Sequence, residues 1–252
     1  MPLASRRQTL SVLLAALSAT CSPHIAQAAE PGLPQFVEVG TSSSDQLTVV
    51  TALLREAYKR VGVELRVREL PMRRRLLLAD NGTLDGDLAR VAGVQQEAPQ
   101  LIRVNVPVYQ FALKAYRLGR PDVDCPASIR TLELGYAGVA VLRGHHAAEQ
   151  ALPTAAQVPV NSYDEAARQL QRGKVAFVLA PPLAFEGALR RTRVTGFCAM
   201  STDTETHALF HMLHRRHAVL AARLEQVLGQ MQQSGEMSTI LANAERQLLL
   251  QR

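Results

Sequence analysis

The sequence predicts an α/β protein built as two successive α/β units, on three observations. Residues 36 to 116 alternate β-prone apolar stretches with stretches of helical period. Residues 121 to 126 form a proline-flanked break that contains a cysteine. The alternation restarts at 138 and changes character only beyond Cys198.

Ahead of the first element, Arg6 and Arg7 precede an apolar run from Leu10 to Ala19 and a small-x-small site at Ala26-Gln27-Ala28. Residues 1 to 28 therefore read as a removed secretory signal, and the mature chain is expected in the periplasm of a Gram-negative source. The paired arginines also occur in twin-arginine signals. Cys21, with Leu17 one place too early and Thr20 beside it, is assigned to the discarded peptide rather than to a lipid anchor. The apolar run is too short to span a bilayer, which takes about 20 residues. No second anchor is expected, because Pro181, Pro182 and Glu186 interrupt the nearest later candidate.

Phe36 to Val39 reads as the first strand. Ser42, Ser43 and Ser44 supply caps for a helix whose apolar positions Leu47, Val50, Leu53, Leu54 and Tyr58 follow the 3.6 period. Val63 to Val67 alternates as a second strand, Pro71 opens a second helix, and Asn81-Gly82 stops it. Gly86 to Ala89 is a third strand, and Leu101 to Tyr116 one further extended segment with Pro107 inside it. In the second unit, Gly138 to Leu142 is a strand and Gly144 to Leu152 a short helix. Val158 to Val160 is a strand, Ser162 caps a helix through Leu170, and Val175 to Leu179 is a buried strand. Leu209 to Leu213 alternates as a strand, and His217 to Met231 and Met237 to Leu250 are helical.

Composition narrows the function. Removing residues 1 to 28 deletes two arginines and no acid, so 28 basic residues fall to 26 against 22 acidic, a formal +4. The excess is spread out, and its densest run, Arg73-Arg74-Arg75, has no aromatic interleaving for base stacking. Nucleic-acid binding is not expected, and a monomer is. Two cysteines remain, Cys125 and Cys198. In an oxidising compartment they pair into one disulfide or stay as two buried thiols.

The stretch Asn81-Gly-Thr-Leu-Asp-Gly-Asp-Leu-Ala-Arg-Val91 decides most of the rest. Set as an EF-hand loop with Gly86 at its sixth position, it has Ala92 where the bidentate glutamate belongs, so the calcium reading fails. Asp85 and Asp87 share a strand face and form a candidate catalytic pair, but no histidine or lysine is near them in sequence, and acids beside a glycine turn are turn formers. What remains is a helix stop, a turn and a strand with Arg90 at its carboxyl end, where open α/β sheets bind ligands.

At this point the chain resembles a family. Pro71-Met72-Arg73-Arg74, then Gly82-Thr83-Leu84-Asp85-Gly86, Arg90, and Leu101-Ile102-Arg103-Val104 with Pro107 are similar in order to the signature of bacterial extracellular solute-binding proteins of family 3, the type 2 periplasmic binding proteins. The resemblance extends through Val139 to Gly144 and Leu213 to Gly235, and so covers nearly the whole mature chain. It implies an α/β, two-lobed fold with two sheets flanked by helices and a ligand cleft between them. Lobe one would be residues 29–118 with 201–252, and lobe two 119–200. It also implies a small-molecule ligand, an ABC permease or membrane receptor as partner, no cofactor, no metal and no catalysis. Two crossovers would run side by side and let Cys125 pair with Cys198.

The sequence departs from the family's amino-acid binders in two places. Ala180-Pro181-Pro182 stands where they place the aspartate that holds an ammonium, and Val106-Pro107-Val108-Tyr109 stands in place of their carboxylate-binding segment. No tryptophan is available to stack on a sugar. Arg90 facing a helix start at Arg143-Gly144-His145 makes an anionic or carboxylate-bearing solute the preferred ligand. Ser42 and Ser43 are expected to donate hydroxyls, and Tyr109 to line the cleft. Two rival readings remain open. An enzyme on the same fold, dehydratase- or lyase-like, would use Glu186 and His145, although nothing pairs them in sequence. A zinc site on His207, His211, His214 and His217 would need one continuous helix there.

Overall fold

The structure, a computed structural model, describes residues 32–120 and 123–250. The expected export signal and Cys21 lie outside these residues. The first sheet runs in the order β2-β1-β3-β11-β4, with β1 Phe36–Thr41, β2 Glu64–Glu69, β3 Gly86–Val91, β4 Leu101–Phe111 and β11 His207–His214. The second runs β6-β10-β5-β9-β7-β8, with β5 Lys114–Leu118, β6 Ser128–Ile129, β7 Val139–Leu142, β8 Gln157–Val160, β9 Phe177–Ala180 and β10 Phe197–Thr202. Both sheets are mixed. β2, β1 and β3 pair in parallel, whereas β11 inserts antiparallel between β3 and β4.

Helices α1 (Asp45–Arg60), α7 (Ala218–Gln233) and α8 (Glu236–Leu250) belong to the first lobe together with α2 (Met72–Asp80). Helices α3 (Thr131–Leu134), α4 (His146–Gln150), α5 (Tyr163–Gln171) and α6 (Pro182–Arg191) belong to the second. α1 forms where expected for a local reason: the Ser44 hydroxyl caps it by accepting from Leu47 N, and Leu47, Val50, Leu53, Leu54 and Tyr58 are all buried. Their side chains join those of β1, β3, β4 and α7 in a shared core, while Ala79 of α2 packs with Leu84, Leu101 and Met212 against the other face of the sheet. In the second lobe the faces of α5 and α6 bury Ala166, Leu170, Ala184, Phe185 and Ala188 against β5, β7 and β9.

Four readings change. The single extended segment from 101 to 116 is two strands in different sheets, so the chain leaves the first sheet at Ala112-Leu113 rather than at 118. It returns after Thr202. Pro107, expected inside one continuous extended segment, sits on the edge strand β4 at a register shift, where a missing N–H costs no ladder bond. The Pro181-Pro182 interruption begins α6: Pro181 is its N-cap and Pro182 its first residue, the position where proline is tolerated. β10 went unread because Phe-Cys-Ala-Met-Ser-Thr has few β-branched residues, yet Cys198 and Met200 alternate inward.

Cys125 and Cys198 are bonded, with Cα atoms 5.1 Å apart. The geometric reason differs from the expected one. Cys198 lies on β10, paired opposite Arg117 of β5, and Cys125 on the connection that follows β5, so the bridge staples the second lobe internally rather than joining two crossovers.

The four histidines of β11 and its exit are dispersed rather than gathered on one helix face. His211 is fully buried; its Nδ1 donates to the Leu88 carbonyl at 2.9 Å, and its Nε2 accepts from the Tyr58 hydroxyl at 2.7 Å. Burial pushes its pKa down to about 4 and Tyr58 well above its ordinary value, so both are neutral. A base with a depressed folded pKa stabilises the fold above its unfolded pKa and loses that contribution as pH falls toward the folded value. Between about pH 6.5 and pH 4, unfolding free energy should drop by roughly 3 kcal/mol from this residue. Urea unfolding across that window checks it. The His211→Leu variant, less stable at neutral pH, should show a shallower slope there, and an unchanged slope would assign the titration elsewhere.

Candidate functional site

The carboxyl ends of β1, β3 and β7 converge on a cleft between the two sheets. At its centre lies a cavity of about 50 Å³. Its first-lobe wall carries Ser42, Gln46, Arg75 and Arg90, and its second-lobe wall Leu142, Gly144, His145, Tyr163 and Ala184. Flanking pockets of about 460 Å³ and 290 Å³ open beside α2, and one of about 300 Å³ opens near Ala112.

The strongest electrostatic feature of the central cavity is a buried triad. Asp87 on β3 is 0% exposed, Arg75 on α2 1% and Arg90 on β3 4%. Arg90 Nε donates to Asp87 Oδ2 at 2.7 Å and its Nη2 to the Met72 carbonyl at 2.6 Å. Arg75 Nε lies 3.3 Å from the same carboxylate oxygen, yet Arg75 Nε and Nη1 make no hydrogen bond. Burial lowers the Arg75 pKa to about 10, with Asp87 opposing that shift, so the guanidinium stays charged at neutral pH. Two cations thus share one carboxylate, and the cluster holds a net positive charge against the cavity. Asp87 Oδ1 also lacks a partner, but Asp87 does not line the cavity.

The placement of Arg75 follows from Gly40. A Cβ at Gly40 would stand 2.6 Å from Arg75 Cβ, so only glycine at the end of β1 lets α2 pass close enough to turn Arg75 inward. In sequence Arg75 is only the third residue of the densest basic run, with no local mark of burial. The signal that singles it out is periodic: Met72, Arg75 and Ala79 stand at i, i+3 and i+7, and Arg75 and Ala79 are the buried residues of α2.

The carboxylates of the 81–91 stretch are both engaged. Asp85 Oδ2 accepts from Glu38 N, while Oδ1 takes Arg216 Nη2 at 2.5 Å and His217 Nε2 at 2.7 Å. Against the upward push of partial burial, the Glu38 amide first, then Arg216 and His217, hold the Asp85 carboxyl below its usual range. Asp85 ties β3 to the start of α7, and Asp87 holds the two arginines.

Of the expected ligand residues, Arg90, Ser42, Gly144 and His145 line the central cavity. Ser43 is exposed and opens instead on the side pocket bounded by Asn161 and Ser162. Arg143 is exposed and lines neither the central cavity nor the three flanking pockets described here. Tyr109 donates its hydroxyl to Glu245 at 3.0 Å, in the pocket near Ala112. The helix start expected to cradle an anion is occupied by the chain itself: Gly144 N donates to Glu149 Oε1 at 2.7 Å and Ala148 N to His145 Nδ1 at 3.3 Å. α4 is also only five residues long. The second wall therefore offers a neutral imidazole. His145 accepts at Nδ1 and so carries its proton on Nε2; burial first, then nearby His207 and Arg90, lowers its pKa to about 4. Glu186 accepts from Tyr116 and lines the pocket near Ala112, apart from the cavity that holds His145.

The lobes also meet outside the cavity. Asp45 on α1 lies 3.2 Å from Arg190 and 2.9 Å from Arg191 on α6. Gly187 permits this approach, because a Cβ there would collide with the Asp45 carboxylate. Phe111 and His145 add an edge-on ring contact at 5.7 Å.

No protein-family model matches the chain, and no curated protein is similar to it by sequence. Solved structures are. A histidine kinase sensor domain with similarity to periplasmic binding proteins superposes with a TM-score of 0.70 at 16% identity, over 83% of this chain and 95% of that one. The GluR0 ligand-binding core in complex with L-glutamate gives 0.69 at 12%, over 84% and 99%. The amino acid ABC transporter substrate-binding protein AbpA from Streptococcus pneumoniae, bound to L-arginine, gives 0.67 at 12%, over 85% and 96%. At these identities the likeness establishes the fold: two lobes around a cleft, as in periplasmic binding proteins. Among the described residues no helix is long and apolar enough to cross a membrane.

Proposed function

We propose that this chain is an exported solute-binding protein that closes its lobes on a small anionic, carboxylate-bearing solute. It would serve an ABC importer or a signalling receptor. The observation that carries the reading is the net-positive Arg75–Asp87–Arg90 cluster at the centre of the interlobe cleft, with donor atoms of Arg75 left unsatisfied. A buried guanidinium with free donors gains most from a carboxylate, which can take two parallel hydrogen bonds. The lobe contacts through Asp45 and Phe111 couple an occupied cleft to a closed arrangement. The similar structures, a transport component and a sensor domain among them, support both destinations for the closed form.

Native mass spectrometry of protein recovered without denaturation should reveal a bound small anion, returned unchanged. Arg90 is then the first residue to vary, but alanine is the wrong replacement. Because Arg90 is buried on Asp87, Arg90→Ala disturbs the apo fold as well as the site. Arg90→Lys keeps the charge near Asp87 and removes the fork. It should weaken binding of the identified anion ten- to a hundredfold, about 1.4 to 2.7 kcal/mol, with a melting temperature close to that of the parent. Titration calorimetry reads the affinity, and unchanged binding would move the anion away from Arg90.

A further inference from the structure

We infer that the solute is a short aliphatic monocarboxylate without an ammonium group, held head-first on Arg75 and Arg90 with its tail against apolar walls. This rests on the anion-binding reading above and narrows it.

The chemistry of the cavity wall carries the inference. Leu47, Met72, Phe111, Leu142, Ala147 and Leu209 supply its apolar walls, and no aspartate or glutamate lines it. An α-amino acid brings its ammonium within a few ångströms of its carboxylate. Here that ammonium would be buried beside a cluster that already holds two guanidinium groups for one carboxylate. Like charges at such separations repel strongly away from water, and a buried cation without an acidic partner is costly. The neutral oxygens at hand do not compensate. Ser44 Oγ already accepts from Leu47 N, and the proton of His145 sits on Nε2, so both present the wrong or a used function. Ser42, Gln46 and Tyr163 remain as neutral groups, and His146, the other imidazole of the wall, is engaged by its Nδ1 with Glu97 at 3.3 Å. A carboxylate, by contrast, neutralises the excess charge and satisfies Arg75, which is 1% exposed and without a hydrogen bond at Nε or Nη1. A cavity of about 50 Å³ is small, so a short acid suits its scale better than a bulky one.

Paired probes that differ only in the ammonium test this. Butyrate and valerate are titrated into the full mature protein beside 2-aminobutyrate and norvaline, with sulfate and phosphate as inorganic anions, and lobe closure is followed as a fall in radius of gyration by solution scattering. The expected result is that butyrate or valerate binds at least tenfold more tightly than its amino counterpart and closes the lobes. If an amino acid binds as well as its deaminated partner, or if only sulfate or phosphate binds, the cleft still takes anions but the monocarboxylate assignment is overturned. If none of the six binds, both the assignment and the anion-binding reading fall. Arg75→Gln, which keeps the helix and removes the charge, should abolish the preference for the deaminated probe; a preference that survives it would also overturn the assignment.

Discussion

Replacing Asp87 with alanine should lower the stability of the apo protein by about 3 to 5 kcal/mol, the usual cost of breaking a buried ion pair by removing one partner. Asp87 is fully buried on β3, and two guanidinium groups, themselves at most 4% exposed, depend on its carboxylate. Without it, two like charges face each other in a poorly hydrated site, and Arg90 keeps only the Met72 carbonyl among its recorded hydrogen bonds. For a chain of this size the loss corresponds to a fall in melting temperature of roughly 10 °C. Asp87→Asn, which retains an acceptor oxygen but no charge, should fall between the parent and the alanine variant. A specific signature separates this account from simple loss of packing. Anions should stabilise the alanine variant more than the parent, since they bind a native state with two uncompensated cations. Thermal melts with and without added sulfate read both effects. A loss below about 1 kcal/mol, or no added benefit from the anion, would mean the arginines find other partners.

Asp87 also shows where reading the sequence stops. The alternation of elements, the cap at Ser44 and the strand at 86 were legible because each rests on local chemistry: period, capping and turn residues. The catalytic and metal readings of Asp85 and Asp87 were set aside on local grounds alone. Their actual partners are Arg216, His217, Arg75 and Arg90, and three of those four depend on tertiary packing that no spacing in the 81–91 stretch reveals.

The cleft was half legible for the same reason. Arg90 and Ser42 line the cavity, and their place at the carboxyl ends of strands, where α/β sheets meet ligands, is what singled them out in sequence. Gly144 and His145 line the cavity too, but the anion-binding role expected of their amides is absent, because Glu149 reaches back to the Gly144 amide from one turn along α4. Arg75 was hidden in plain view inside Arg73-Arg74-Arg75. Composition marked only a dense basic run, while helical phase puts its third arginine on the buried stripe of α2 with Ala79. The boundary error at 118 arose because β4 and β5 are separated by only Ala112 and Leu113, so an apolar run crosses from one sheet to the other without a turn signal.

Reducing the Cys125–Cys198 bond, or replacing both cysteines with alanine, should destabilise the second lobe by about 4 kcal/mol in the chain-entropy account, because a closed loop of this length restricts the unfolded chain strongly. The bridge spans 73 residues, which include β6 through β9 and helices α3 to α6, nearly all of that lobe. It leaves the first lobe untouched, since β11, α7 and α8 return to the first sheet beyond it. The loss is therefore expected to be local. Limited proteolysis of the reduced protein should cut first between residues 125 and 198, while the core around Leu53, Leu88, Leu224 and Leu228 stays protected. Binding should weaken in step, because Leu142, His145 and Tyr163 form the far wall of the cavity and an unfolded second lobe cannot close on the anion proposed to bind at Arg75 and Arg90. Saturating ligand should then recover part of the lost stability by binding only the folded form. Cleavage that begins in the first lobe, or a melting temperature unmoved by reduction, would show that the second lobe is held by its own core alone.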